Sequence, residues 1–434
     1  MLSRGLAPRM RAISPKRPAV VAALDIGSSK IVCLIARLKP RPEGQARRGR
    51  THSIEVVGFG HGRARGIKGG AVADMARAEE AIRRVVDAAE RSAGAEIASV
   101  VVSIAGARLA SQSFAASHRL PLPAVAEGDI GRVLDAASLH SVRDGRAVLH
   151  SLPVGYRLDN ASGIRDPRGM LGQVLAVDLH VVTADRSPLT NIMLLVERCH
   201  LSVEGLIAAP YAAGLAVLAH DEAELGATVI DMGAGTTTLA AFASGHCVHT
   251  DGIALGGGHV TADLARGLSA RVAEAERLKT LHGSAIAGGS DELNMITVPV
   301  VGGDRSHADA VSRAEIVRMV RPRIEEIFEM LAGRLKTAGM LRAANRRIVL
   351  TGGASQLAGV CDIAARIFGA SVRVGRPIAI GGLNEAAHGS AFAAAAGLLV
   401  YPQFAGREHF EPRRRHAEHS GYLTRVGRWL KEAF

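Results

Sequence analysis

Residues 22–36, AALDIGSSKIVCLIA, set two apolar runs around a short polar turn, with Asp25 at the junction. Runs of Val, Ile, Leu and Ala of this length predict two buried strands, tightly joined. Residues 227–242, ATVIDMGAGTTTLAAF, repeat the arrangement with Asp231 in the same place. The shared pattern, D-[IM]-G-[SA]-[SG]-[KT], recurs 206 positions on (231 minus 25). A carboxylate inside an apolar strand is costly unless something pairs with it. Two such sites in one chain point to one shared task and a duplicated domain.

The rest of the pattern frames these turns. Positions 73–93 carry apolar residues at helical spacing and stop at Gly94. EIASVVVSIAG (96–106) predicts a strand opening a region of short strands and one helix, which ends in VLAVDLHVVTA (174–184). A helix is predicted over 188–200, ahead of the apolar 206–220. GGGHVTADLARGL (256–268) reads as a glycine turn into a helix, and AEAERLKTLHG (273–283) as a second helix. SRAE (312–315) is a capping box for a long helical region, expected to be interrupted at Pro322. RRIVLTGGASQLAGV (346–360) reads strand, glycine turn, helix start. Residues 386–406 lack Asp, Glu, Lys and Arg, but their Ala, Gly, His and Pro suit a buried helix better than a membrane span.

Composition adds limits. The 434 residues allow two or more cores. The net charge of +12 is partly local, in the acid-free first 24 residues and in RLKPRPEGQARRGR (37–50), both expected as solvated tail or loop. Aromatic residues are only 3%, so the interleaved basic-aromatic surface of a nucleic-acid binder is missing. Cys33, Cys199, Cys247 and Cys361 are scattered, as in reduced cytosolic proteins. His246, Cys247 and His249 cluster, yet no distant ligand pair completes a metal site. The apolar run after the basic start is too short for a signal peptide.

The candidate chemistry lies in the turns. Gly27, Ser28, Ser29 and Lys30 offer free N–H groups, hydroxyls and a cation beside Asp25, a set that suits an anionic ligand accompanied by a metal ion. Gly352 and Gly353, ahead of a helix start, add a third place where backbone N–H groups could meet a phosphate or nucleoside. No G-x-x-x-x-G-K-[ST] occurs, and strands rather than helices follow both Asp turns, which excludes phosphate-loop and dinucleotide fingerprints.

This order of motifs resembles the actin, sugar-kinase and heat-shock-chaperone superfamily of ATP-binding proteins. Within it, the chain is similar to the FtsA family of bacterial cell-division proteins over roughly residues 19–402 and the tail. The lines that carry this are LDIGSSKI, GIKGGAVADMARAEEAI, SVVVSIAG, RAVLHSLPVGYRLDNASGIRDPRGMLG, VERCHLSVEGLIAAPYAAGLAVL, ELGATVIDMGAGTTTLAAF and VLTGGASQLAGV. The VLHSLPVGYRLD and GIRDPRGMLG segment separates this family from chaperones and kinases, since it falls in the family's own inserted subdomain.

The resemblance implies an α/β fold of two duplicated domains around a nucleotide cleft. The expected layout is a disordered basic tail (1–18), a first domain (19–93, 185–203 and 386–401), an inserted subdomain (94–184) and a second domain (204–385, with 255–311 its smaller part). A linker (402–420) and a membrane-binding helix (421–434) follow. ATP and Mg²⁺ are implied, with Asp25 and Asp231 holding the ion through waters. Gly27, Ser28, Ser29, Lys30, Gly233, Gly235, Thr236 and Thr237 would line the phosphates, approached by Gly256, Gly257 and Gly258. Glu276 and Lys279 match ribose and adenine contacts, and Gly352 and Gly353 the adenosine loop. Many hydrolysing relatives orient water with a Glu or Gln before the proline ahead of the second turn. Ala209 stands there before Pro210, which implies a slow nucleotide switch for polymerisation, at most a weak ATPase. The alternatives are an actin-like ATPase of chaperone or sugar-kinase type, although no catalytic aspartate for a kinase is found, and a shape or pilus scaffold that does not bind FtsZ.

The implied partners are the tubulin-like division protein FtsZ, further copies of the chain in actin-like filaments, an anionic membrane surface and later division proteins. Arg323 matches a family contact for the acidic FtsZ tail. The implied place is the cytoplasmic side of the inner membrane, at the septum. The tail speaks for itself. At about 100° per residue, Leu423, Val426, Trp429, Leu430 and Phe434 share one arc with Tyr422 and Ala433. Arg425, Arg428 and Lys431 lie on the opposite side. Such a helix lies in the membrane interface, and about 20 Å of length cannot span it.

Overall fold

The computed structural model describes residues 7–42, 49–106, 108–139, 142–299, 308–340, 347–383 and 385–410. Two five-stranded mixed sheets carry the two Asp turns. In the first, strand Ala19–Ile26 lies at the centre, antiparallel to Lys30–Pro40 and parallel to Ser99–Ile104. His52–Arg63 and Ser202–Ala208 form its edges. In the second, Ala227–Met232 pairs antiparallel with Thr237–Ala243 and parallel with Arg347–Thr351. The sheets repeat one motif: an Asp strand with an antiparallel hairpin partner on one side and a parallel strand on the other. Both hairpin pairs are buried on both faces, which is why each reads as an unbroken apolar run.

Helix Met75–Ala93 covers the first sheet. Asp74 caps its start by accepting from the Arg77 N–H, and Gly94, at φ 63°, ends it in the left-handed region that favours glycine. Helices Ala209–Val217 and Ala393–Val400 cross between the two halves. They approach so closely that a Cβ on Gly397 would sit 1.8 Å from the Ala212 carbonyl oxygen. Helix Arg313–Thr337 braces the second half. The predicted interruption at Pro322 does not occur. Val320, Ile324, Ile327, Phe328 and Leu331 are all fully buried on one face. At about 1.5–3 kcal/mol each, that burial outweighs the roughly 3 kcal/mol that an internal proline costs.

Four expected boundaries move. The insert does not start at 94, because Ser99–Ile104 is an inner strand of the first sheet. The insert proper is a four-stranded sheet of Ala110–Arg119, Val174–Asp185, Arg146–Leu158 and Ala161–Ile164, packed on helix Glu127–Ser138. The first sheet also takes in Ser202–Ala208, past the expected end of the first domain at 203. At the N-terminus, residues 7–18 are not a disordered tail. Ala7 is buried, Met10 and Ile13 pack on the main core, and the Arg9 guanidinium lies 3.7 Å over the Phe410 ring. The expected linker is likewise docked as far as Phe410, whose ring joins the insert's core. Local charge suggested a solvated segment at both ends, and distant apolar partners overrode it. The segment 421–434 expected to bind membrane, with Leu423, Arg425, Val426, Arg428, Trp429, Leu430, Lys431 and Phe434, lies outside the described residues. No described helix is long and apolar enough to cross a membrane.

Candidate functional site

Each Asp turn closes with the same bond. The Gly27 N–H donates to the Lys30 carbonyl at 3.0 Å, and the Gly233 N–H to the Thr236 carbonyl at 2.9 Å. A Cβ on either glycine would press on that carbonyl, at 2.8 Å and 3.0 Å, so the turn dictates glycine in both copies. The turns meet across the cleft: a Cβ on Gly235 would come within 2.5 Å of the Ser28 hydroxyl and 3.0 Å of Gly69. Ser28 in turn accepts from the Gly70 N–H at 3.0 Å. Ser29 is exposed beside it.

Asp25, Asp231 and Lys30 form one electrostatic unit. Burial raises the Asp25 carboxyl, opposed by the hydroxyl of Ser103, which donates to Oδ1, and by the Lys30 charge. Asp231 is pushed up to about 7 by burial and then by the Asp25 charge, with Lys30 opposing. Burial lowers the Lys30 ammonium, while both carboxylates pull it up. The ammonium itself donates to the Ala391 carbonyl and sits 4.0 Å from the centre of the Phe392 ring. It therefore lends charge to the cleft from the side of the 386–401 segment.

The glycine turn 256–258 abuts the Asp231 turn. The Gly257 and Gly258 N–H groups donate to the Gly233 and Ala234 carbonyls at 2.9 and 2.8 Å, so these donors serve the fold here rather than an outside anion. A Cβ on Gly256 would come within 2.4 Å of the Gly233 carbonyl oxygen. Lys279 braces the same turn: its ammonium reaches the Gly257 carbonyl at 3.0 Å, Thr261 Oγ1 at 2.8 Å and Glu276 at 2.7 Å. The Thr261 hydroxyl also donates to Glu276. Thr236 is buried, and Thr237, expected among the phosphate contacts, is fully buried with its hydroxyl donated to the Leu255 carbonyl at 2.8 Å. Gly352, at φ 83°, lies against Asp231, where a Cβ would approach Oδ1 to 2.4 Å. A Cβ on Gly353 would meet only open space. Arg323 is occupied, holding Asp263 through Nε at 2.7 Å and pairing with Glu326. Ala209 is buried as the first residue of its helix, and presents no polar group there.

Two carboxylates, one lysine and two glycine turns fit a hydrated Mg²⁺ better than a direct cage. Among the described residues, no group of three or more His, Cys, Asp or Glu could hold an ion alone. The sequence did not reveal Ser103, which follows Val102, the parallel neighbour of Leu24. Nor did it reveal Ala391 and Phe392 beside Lys30. Only strand pairing and long-range packing bring these together. Two further cavities, of about 520 Å³ beside Glu222, Arg347 and Arg373 and about 430 Å³ beside Phe242, His246 and Arg407, include no residue of either Asp turn.

Comparison with known proteins gives a consistent picture. A family model described as "Cell division protein FtsA" matches residues 228–397, and one described as "SHS2 domain inserted in FTSA" matches 106–183, the insert as the strands define it. The chain is 51% identical to "Cell division protein FtsA" of Agrobacterium fabrum, over 98% of each chain. It is 50% identical to the protein of that name from Rhizobium meliloti, again over 98% of each. Among solved structures it resembles a chain of the "PilM-PilN type IV pilus biogenesis complex", at a TM-score of 0.60 and 15% identity, covering 88% of this chain and 98% of that one. That similarity is one of fold, the actin-like ATPase fold.

Proposed function

The chain belongs to the FtsA family of cell-division proteins, and from that premise we propose that it binds Mg·ATP between its two Asp turns, polymerises and ties FtsZ to the inner membrane surface at the septum. The observation that carries the nucleotide reading is the pair of like-built turns in contact, each holding a half-buried carboxylate beside one lysine. Bound Mg²⁺ would supply the positive charge that lets both carboxylates ionise together. The chain's own residues do the rest. Ser103 orients Asp25, Lys30 adds charge, the glycines let the turns close tightly with Gly353 left open to the ligand, and Glu276 with Lys279 shapes the wall for the nucleoside. With Ala209 unable to orient water, nucleotide acts as a switch, and a turnover at or above about 1 per second would contradict this. Isothermal titration with Mg·ATP, with and without EDTA, tests the site directly. No binding in either condition sinks the reading.

Membrane attachment rests on residues 421–434. Partial burial of five large apolar side chains, plus about 1 kcal/mol per basic residue near anionic lipid, gives a modest affinity for one copy. Polymerisation multiplies it through effective concentration, which links the nucleotide to localisation. Trp429→Glu should release the protein from phosphatidylglycerol vesicles with Mg·ATP binding intact. If the mutant still floats with lipid, the tail is not the anchor. For FtsZ, whose attachment recruits later division proteins, Arg323 remains the proposed contact, and an acidic peptide would compete there with Asp263 and Glu326. Unchanged FtsZ recruitment in both Arg323→Ala and Arg323→Glu removes that contact.

A further inference from the structure

The last described residues include one partner of a fully buried pair. The side chains of Glu408 and His150 are both 0% exposed, with Nδ1 to Oε1 at 2.9 Å. His150 Nε2 accepts from the Ala208 backbone N–H at 2.9 Å, so the ring's proton sits on Nδ1 and donates to the carboxylate. Glu408 Oε2 is buried with no hydrogen-bond partner. The Tyr401 hydroxyl also faces this carboxylate, but it is the His150 bond that ties Glu408 to the end of strand Ser202–Ala208. The ring is walled by Tyr211 at 5.0 Å and Tyr401 at 5.8 Å between centroids. Next to it, the His409 N–H donates to the Ser151 carbonyl at 2.9 Å, and the His409 ring bonds Asp135 at 2.8 Å.

Ala208 is the last residue of its strand and the cap of helix Ala209–Val217. That helix packs on Ala227–Met232 and Thr237–Ala243, the two strands that form the Asp231 turn. The root of the C-terminal segment is therefore bonded, through one imidazole, to the junction that supports one wall of the cleft. We propose that Glu408–His150–Ala208 is a latch joining the root of the membrane tail to the cleft. A shift of helix Ala209–Val217 loosens the root, and load on the tail in turn shifts the helix, as linkage requires. Only ten residues (411–420) separate Phe410 from the apolar tail, at most about 35 Å of extended chain, so the root's position limits where the anchor can reach. The link to lipid and nucleotide rests on the function proposed above; the latch itself is testable without either.

Amide hydrogen exchange on the full chain in solution decides it. Glu408→Gln keeps the shape and removes the carboxylate. The expected result is at least tenfold faster exchange at both His409 and Ala208, which lie 201 positions apart (409 minus 208). Asp135→Asn, which frees the same segment without touching His150, should speed His409 and leave Ala208 alone. Unchanged Ala208 protection in Glu408→Gln overturns the latch, as does an equal response in Asp135→Asn. With phosphatidylglycerol vesicles added, the wild-type Ala208 amide should change its rate and that of Glu408→Gln should not. A response in both overturns the coupling through Glu408. Failure of the wild type to bind vesicles counts instead against the membrane reading.

Discussion

The two Asp turns are built alike and given different neighbours. Asp25 lies one step beyond Leu24, which pairs with Val102, and the hydroxyl of Ser103 donates to it. In the second sheet the matching neighbour is Thr351, in register with Asp231. Its hydroxyl turns away, to the Ser390 carbonyl at 2.9 Å, and is spent on the 386–401 segment. One carboxylate thus has a donor, while the other faces burial and the Asp25 charge and is pushed up to about 7. Equal backbones need not give equal chemistry: a hydroxyl opposes the rise of the Asp25 carboxyl, and the matching hydroxyl of Thr351 is spent elsewhere. The two acids repel each other, and the Asp25 charge adds to burial in raising Asp231.

The harshest way to break the comparison is to remove either acid. Asp25→Ala and Asp231→Ala should each weaken Mg·ATP binding by about a hundredfold or more in titration calorimetry, while binding without Mg²⁺ changes far less. A deficit confined to one of the two would show that the turns do not share the ion.

Next in size is stability against pH in the nucleotide-free protein. Asp231 has a folded pKa near 7, raised above its ordinary 3.8. Its contribution is complete below about pH 4 and is lost as pH rises through 7. Asp231→Asn should therefore stabilise the protein at pH 8, on the order of 2–4 kcal/mol, and have little effect at pH 4. Urea unfolding at both values measures this, and an equal effect at both would contradict the shift.

A smaller effect sharpens the contrast. Ser103→Ala removes the donor from Asp25 and makes the halves alike. Mg·ATP affinity should fall by about twentyfold, within the roughly 1.5–3 kcal/mol that a hydrogen bond to a charged group is worth. Ser103→Thr should restore it. Thr351→Val should leave Mg·ATP affinity within about twofold, since its hydroxyl serves the fold. A larger loss would place Thr351 in the cleft's chemistry after all.

The sequence by itself determined what depends on neighbours along the chain. The twin turns were legible because the Gly27–Lys30 and Gly233–Thr236 bonds close over three residues, so each turn's glycine is written into its own hexad. Helix Met75–Ala93 was legible from its apolar spacing and from Gly94. The tertiary structure decided what depends on distant partners. Ser103 reaches Asp25 across 78 positions, Lys30 finds Ala391 across 361, and Glu408 finds His150 across 258. It also buried Thr237, carried the helix through Pro322, and docked both the N-terminal residues from Ala7 and the chain up to Phe410. The physical reason is the same throughout. Backbone turns and helix ends are fixed by local sterics and hydrogen bonds, whereas burial and the partner of a buried polar group are set only when the sheets and helices close around them.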